Sequence, residues 1–150
     1  GNEIKDILIQ KAKEGIEVRV IYDDVGSWDL PKKYINELKA AGVNIYPFMR
    51  VAFPVFTSKI NYRNHRKIIV IDGKVGFMGG INIADRYIDG GIFGHWRDTH
   101  LRLEGEAGQM LQVSFIVDWY VVSKEMLLRK SKKDVPGRFV DSKHLVQIAI

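Results

Sequence analysis

Four polar residues at fixed spacing carry the clearest chemical signal in this chain of 150 residues. They are His65, Lys67, Asp72 and Asn82, in the pattern H-x-K-x4-D-x6-G-G-x-N. A histidine can act as a nucleophile or a general acid near neutral pH. A lysine ammonium and an asparagine amide can donate hydrogen bonds to phosphate oxygens. The residue types therefore indicate chemistry on a phosphate ester that requires neither a metal ion nor a cofactor.

The segment around the first three residues predicts a β-hairpin. Lys67–Ile71 is a β-branched run with no polar break after the lysine, which predicts a strand buried on both faces. Because alternate residues of a strand share a face, His65 and Lys67 would project together at its start. Asp72 and the glycine after it are typical of a tight hairpin turn, so Val75–Met78 would return antiparallel.

A helical stretch is predicted next, over Ile81–Tyr87, with Asn82 at its opening. The glycines at 79 and 80 would let backbone come close to a ligand. Backbone N–H groups and the dipole at the start of that helix would also favour an anion. We therefore expect the histidine, the lysine, the asparagine and a helix N-terminus to converge on one phosphate.

The rest of the chain alternates helical and extended patterns, which predicts an α/β fold with a mixed β-sheet sandwiched between helices. Helices are expected at Asn2–Glu14, Pro31–Ala41 and Glu106–Ser123, and strands at Ile16–Tyr22, Val43–Phe48 and Trp96–Leu103. Loops are expected at Asp23–Leu30, Arg50–Tyr62 and Asp89–Gly94, and a polar linker at Ser131–Val140.

The four-residue pattern resembles the HKD motif of the phospholipase D superfamily. The segments that narrow this resemblance are Gly15–Ser27, Asn61–Lys67, Gly94–Gly105 with its Trp-Arg-Asp-Thr-His core, and Gln109–Trp119. Together they resemble the N-terminal catalytic half of bacterial cardiolipin synthase. The resemblance implies a phosphatidyltransferase that makes cardiolipin from phosphatidylglycerol through a phosphohistidine, without metal or cofactor.

The resemblance also implies a role for each candidate residue. His65, Lys67 and Asp72 are the catalytic motif, with Asp72 largely structural. Lys67 and Asn82 would bind the substrate phosphate, and Asp98 would orient the catalytic histidine. The implied partners are phosphatidylglycerol or another anionic phospholipid and a second HKD domain of the parent chain, with nucleic acid disfavoured.

Some of these residues have a structural interpretation that competes with the chemical one. Asp-Gly is common turn chemistry, and Asn82 is a good N-cap residue for a helix. Asp98 could instead be a charge partner of Arg97 or Arg102. Trp96 could pack in the core, and His95 and His100 could be structural or surface residues.

The chain departs from the family pattern in carrying a single motif, since His95, His100 and His144 lack a lysine two residues later. We therefore expect residues 1–140 to be a first HKD domain, truncated at its N-terminus. Residues 141–150 would be linker and the start of the second domain's first strand. The isolated piece would be soluble and inactive, and its parent would lie at the bacterial cytoplasmic membrane.

Composition leaves a second hypothesis open. The formal net charge is +5 and the chain contains no cysteine, which excludes a disulfide framework. No apolar run approaches the roughly 18 residues that a membrane span needs. A basic surface is compatible with lipid, phosphate or nucleic acid. The alternative function is therefore a single-motif phosphodiesterase or nuclease of the superfamily that acts as a homodimer. A third, a degenerate binding domain, is disfavoured by the intact motif.

Overall fold

The computed structural model describes residues 1–48, 65–90 and 94–127, which form two compact units. Along the chain the elements are α1 (Asn2–Lys13), β1 (Arg19–Asp23), α2 (Lys32–Ala40), β2 (Asn44–Phe48), β3 (Lys67–Ile71), β4 (Val75–Gly79), α3 (Arg86–Asp89), β5 (His100–Glu104) and α4 (Glu106–Ser123). The first unit contains α1 to β2, and the second contains β3 to α4.

In the first unit, β1 and β2 pair in parallel, joined by α2. A parallel pair needs such a crossover helix. The buried centre consists of Leu38 from α2 and of Val43 and Ile45 at the second strand. Around this centre pack partly buried residues from both helices, from the first strand and from the position before it: Leu8, Ile9, Ala12, Val18, Val20, Tyr22, Tyr34 and Ile35.

In the second unit, β3, β4 and β5 form an antiparallel sheet in that order. Helix α4 packs on one face of this sheet. Two glycines allow the close approach, since a Cβ on Gly76 would lie 2.5 Å from Leu111 Cδ1 and one on Gly108 would lie 2.8 Å from the Lys74 carbonyl oxygen. Leu111 and Trp119 of α4 are fully buried.

The predicted α/β class is confirmed, and both parallel and antiparallel pairings occur, here in two separate small sheets of the described residues. Strand β3 and helix α4 have the predicted bounds. The prediction that β3 is buried on both faces is wrong, because Ile69 and Ile71 are 52% and 51% exposed. Only the face that carries Ile68 and Val70 lies towards α4.

Two further predictions are corrected. The helix expected from Ile81 begins only at Arg86 and is 4 residues long, so Asn82 does not open it. The strand expected from Trp96 begins at His100, because its partner β4 ends at Gly79 and pairs that residue with His100. The predicted loop at 50–62, the linker at 131–140 and the segment 141–150 lie outside the described residues.

Candidate phosphate-binding site

The turn between β3 and β4 places Asp72 at one end of the hairpin. Asp72 and Gly73 have φ angles of 53° and 65°, and the Lys74 N–H donates to the Ile71 carbonyl at 3.0 Å. Positive φ at both central residues is the signature of a type I′ turn. At a rise of about 3.3 Å per residue, the Cα atoms of Asp72 and Lys67 are about 16 Å apart. The structure therefore does not bring Asp72 close to Lys67. Asp72 instead forms part of the turn that joins β3 to β4.

The opposite end of the sheet holds Lys67. In the strand register Lys67 pairs with Gly79, and Gly79 pairs with His100. Directly paired residues of neighbouring strands project to the same face, so Lys67 and His100 flank Gly79 on one face. A Cβ on Gly79 would overlap both the His100 imidazole and the Thr99 carbonyl oxygen. The glycine is required because the imidazole occupies the space above it.

The second glycine of the pair accommodates a carboxylate. The Asp98 side chain lies directly against Gly80, where any Cβ would overlap both carboxylate oxygens. The Thr99 N–H donates to Asp98 Oδ1 at 2.7 Å. Gly79 and Gly80 thus admit His100 and Asp98 from the segment around the start of β5. The structure brings Asp98 to the Lys67 end of the sheet, and the orientation of His65 by Asp98 stays a prediction.

Asn82, just beyond the glycine pair, is held by a residue that the sequence did not single out. Its amide nitrogen donates a short hydrogen bond to the Tyr87 hydroxyl. The Tyr87 ring meets the Trp96 ring edge-on, with centroids 4.9 Å apart and an interplanar angle of 64°. Trp96 is 42% exposed, so the interpretation of this residue as core packing is wrong. No local sequence pattern predicts this contact, because Asn82 and Tyr87 are five residues apart and residues of a helix contact each other at separations of three or four.

The helix-dipole contribution expected at Asn82 is absent from this arrangement. Asn82 lies four residues before the first residue of α3, and a single four-residue turn carries little dipole. What remains at this position is the side-chain amide itself, half-buried and fixed by Tyr87. Any contribution of Asn82 to phosphate binding therefore comes from its side chain.

The start of β3 is tied to α4 by an ion pair that sequence reasoning missed. Arg66 Nη1 lies 3.0 Å from both carboxylate oxygens of Asp118. The Asp118 side chain is only 12% exposed, and a buried carboxylate needs such a partner. Asp118 appeared in the sequence only within a segment of family resemblance. His65, the residue before Arg66, is exposed.

Among residues 1–48, 65–90 and 94–127, no group of three or more histidine, aspartate or glutamate side chains is arranged to hold a metal ion. Within the same ranges, no helix has the length and apolarity to cross a membrane. At the Lys67 end of the second unit, Lys67 and His100 carry N–H groups that can donate to an oxyanion, and Asp98 adds a carboxylate.

The antiparallel hairpin has a lysine at its open end, a glycine pair opposite and an asparagine amide beyond, which places the chain in the class of α/β proteins whose donors suit a phosphate. Comparison with known families narrows this class. The family described as cardiolipin synthase, PLD-like domain matches residues 1–91, which include the whole four-residue pattern. The chain belongs to this family.

Individual relatives agree with the family assignment. The chain is 59% identical over 129 residues to cardiolipin synthase 2 of Bacillus cereus, a match that covers 85% of this chain and 25% of the relative. It is 56% identical over 132 residues to cardiolipin synthase of Alkalihalophilus pseudofirmus, with 87% and 26% covered. It is 58% identical over 132 residues to cardiolipin synthase of Halalkalibacterium halodurans, with the same coverage.

The chain therefore spans about a quarter of the length of the curated relatives it matches. No solved structure matches it.

Proposed function

We propose that this chain supplies one HKD half-site of a phosphatidyltransferase that makes cardiolipin from phosphatidylglycerol. The observation that carries the proposal is the register Lys67–Gly79–His100. This register puts the motif lysine beside the glycine pair, at the start of β3. His65 comes two residues before this lysine in the sequence. The identities of 54–59% to proteins named cardiolipin synthase support the choice of substrate.

The proposed reaction has two displacement steps at one phosphorus. In the first, an imidazole nitrogen of His65 attacks the phosphodiester of phosphatidylglycerol, and the bond from phosphorus to the headgroup glycerol breaks. The leaving glycerol oxygen takes a proton from a histidine of a second HKD domain. In the second, a hydroxyl of another phosphatidylglycerol attacks the phosphohistidine and gives its proton to that second histidine. Cardiolipin and glycerol are the products.

Lys67 and Asn82 are proposed to bind the non-bridging oxygens while charge builds on them. The lysine contributes a full charge, and the asparagine amide is already fixed by Tyr87. Donors that are fixed in place before the reaction stabilise a transition state without reorganisation. The same anionic phospholipid defines the proposed location of the parent protein, at a membrane surface.

The test uses the full-length protein with phosphatidylglycerol vesicles and measures cardiolipin and glycerol by mass spectrometry. Cardiolipin formation that disappears in His65→Ala and persists in the loop control His95→Ala is the expected result. A wild-type protein that forms no cardiolipin, or that forms it equally well as His65→Ala, refutes the proposal. Cleavage of DNA in place of lipid would favour the homodimeric phosphodiesterase.

A further inference from the structure

We infer that His100 is a further substrate-binding residue of this site, and that it donates a hydrogen bond to the lipid phosphate beside Lys67. The inference rests on the proposed function and adds a residue to it. His100 lies outside the four-residue pattern, and its sequence context indicated only a structural or surface place.

The first argument is the position of His100 in the sheet. Directly paired Cα atoms of antiparallel strands are about 4.5–5.5 Å apart, so the Cα atoms of Lys67 and His100 are about 10 Å apart across Gly79. Both side chains project to the face of the sheet that is opposite α4. A phosphate bound on this face between the ends of the Lys67 and His100 side chains would therefore be within reach of both.

The second argument is the direction of the imidazole. It leans across Gly79 towards β3, because its Cγ and Nδ1 lie in the space that a side chain at position 79 would fill. Holding a side chain in one orientation costs rotamer entropy. Here the glycine between the two strands makes room for the ring on the lysine side.

The third argument is the hydrogen bonding of the ring. Within the part of the chain that the structure describes, the imidazole nitrogens of His100 take part in none of the side-chain hydrogen bonds, and the residue is exposed. A structural histidine normally has its ring nitrogens satisfied by protein groups. The ring is thus held in place by packing on Gly79, and its nitrogens are available to a ligand.

Charges of both signs lie near this point. Lys67 brings a cation that favours an anion, whereas the Asp98 carboxylate lies against Gly80, with its Oδ1 accepting the Thr99 N–H at 2.7 Å. Farther along the same face of the sheet, the next residue of β5 to share it is Arg102, paired with Phe77. Arg102 lies two residues after His100 on the same strand and the same face, so it serves as the matched control.

The experiment compares three variants of the full-length protein: His100→Ala, His100→Gln and Arg102→Gln. Loss of one charge-assisted donor to a phosphate should lower kcat/KM for phosphatidylglycerol about 10- to 100-fold in His100→Ala. His100→Gln keeps an N–H donor and should recover most of this loss. Arg102→Gln should stay within about threefold of wild type.

A second measurement does not depend on lipid turnover. Inorganic phosphate should raise the thermal midpoint of the wild type and of Arg102→Gln, and it should raise the midpoint of His100→Ala less. The inference is overturned if His100→Ala matches wild type in both measurements, or if His100→Gln is as impaired as His100→Ala. An inactive wild type that still shows the phosphate difference would refute the proposed function and leave the histidine in place.

Discussion

Lys67 and Asp72 belong to one sequence pattern but occupy opposite ends of one strand. The lysine starts β3 next to Gly79, whereas the aspartate has a φ of 53° in the turn. Only glycine, asparagine and aspartate adopt this left-handed conformation routinely. The same spacing thus encodes two requirements, a charge at the site and a residue that can close the hairpin.

Substitutions at the two positions should separate these requirements in the full-length protein. Lys67→Met should lower kcat about 100- to 1,000-fold without a change in thermal stability, because the charged donor is lost. Asp72→Ala should cost about 1–2 kcal/mol of stability because alanine is strained at positive φ, and Asp72→Asn should be nearly neutral. Steady-state rates and urea unfolding measure both effects. A stable but inactive Asp72→Asn would assign the aspartate a chemical role.

In the second unit, some elements are set by a local sequence pattern and others by contacts between residues far apart in the sequence. Strand β3 and helix α4 were predicted with their bounds because each has a strong local pattern, a β-branched run and a long apolar segment. The start of β5 was not, because pairing of His100 with the last residue of β4 sets it. Tyr87 and Asp118 were missed because their contacts with Asn82 and Arg66 span 5 and 52 residues.

The Arg66–Asp118 pair should hold the start of β3 against α4. Asp118 is largely buried, so Arg66→Met should cost about 1–3 kcal/mol by removing the guanidinium that contacts both of its carboxylate oxygens. Asp118→Asn should cost a similar amount, and the double variant should cost less than the sum. Urea unfolding followed by tryptophan emission measures this, since Trp119 is fully buried. Strictly additive losses would mean that the two side chains do not interact.

In the first unit, the ion pair between Lys5 and Glu37 joins α1 to α2, with Lys5 Nζ 2.5 Å from Glu37 Oε2. The hydrogen bond from Lys5 is the main reason that the pKa of Glu37 lies below its ordinary value of 4.5. The same bond raises the pKa of Lys5 above 10.5. The stabilisation is therefore present above the pKa of the unfolded glutamate and is lost as acid protonates the folded one. At high pH it is lost as Lys5 deprotonates.

We expect Lys5→Met to be less stable than wild type at pH 7, and the difference to vanish well below pH 4.5, where Glu37 is neutral in both proteins. Thermal melts across the acid range measure this. Lys33→Met is the matched control, because Lys33 Nζ lies 3.9 Å from the same carboxylate and its side chain is 86% exposed. A loss that persists unchanged in acid would attribute the effect of Lys5 to packing rather than to charge.

At the scale of the whole molecule, the net charge agrees with the proposed anionic substrate. The chain carries a formal net charge of +5, and a basic surface raises the local concentration of anionic lipid or phosphate. The matched segment covers about a quarter of each relative, and the second histidine of the proposed reaction is assigned to a second HKD domain. The single motif predicted this division of the reaction between two domains, and it stays a prediction.

Metal independence is the prediction that belongs to the full-length protein. The Lys67 ammonium would repel a divalent ion at the place where the phosphate is proposed to bind, and Asn82 offers an amide donor beside it. In the proposed site, the charge of Lys67 and the amide of Asn82 would take the place of the metal ion that other phosphoryl-transfer sites use. Turnover of phosphatidylglycerol should therefore survive exhaustive treatment with EDTA, measured against the untreated enzyme on the same vesicles. Activity that is lost in EDTA and restored by zinc or magnesium would overturn the assignment of the phosphate charge to Lys67 and Asn82.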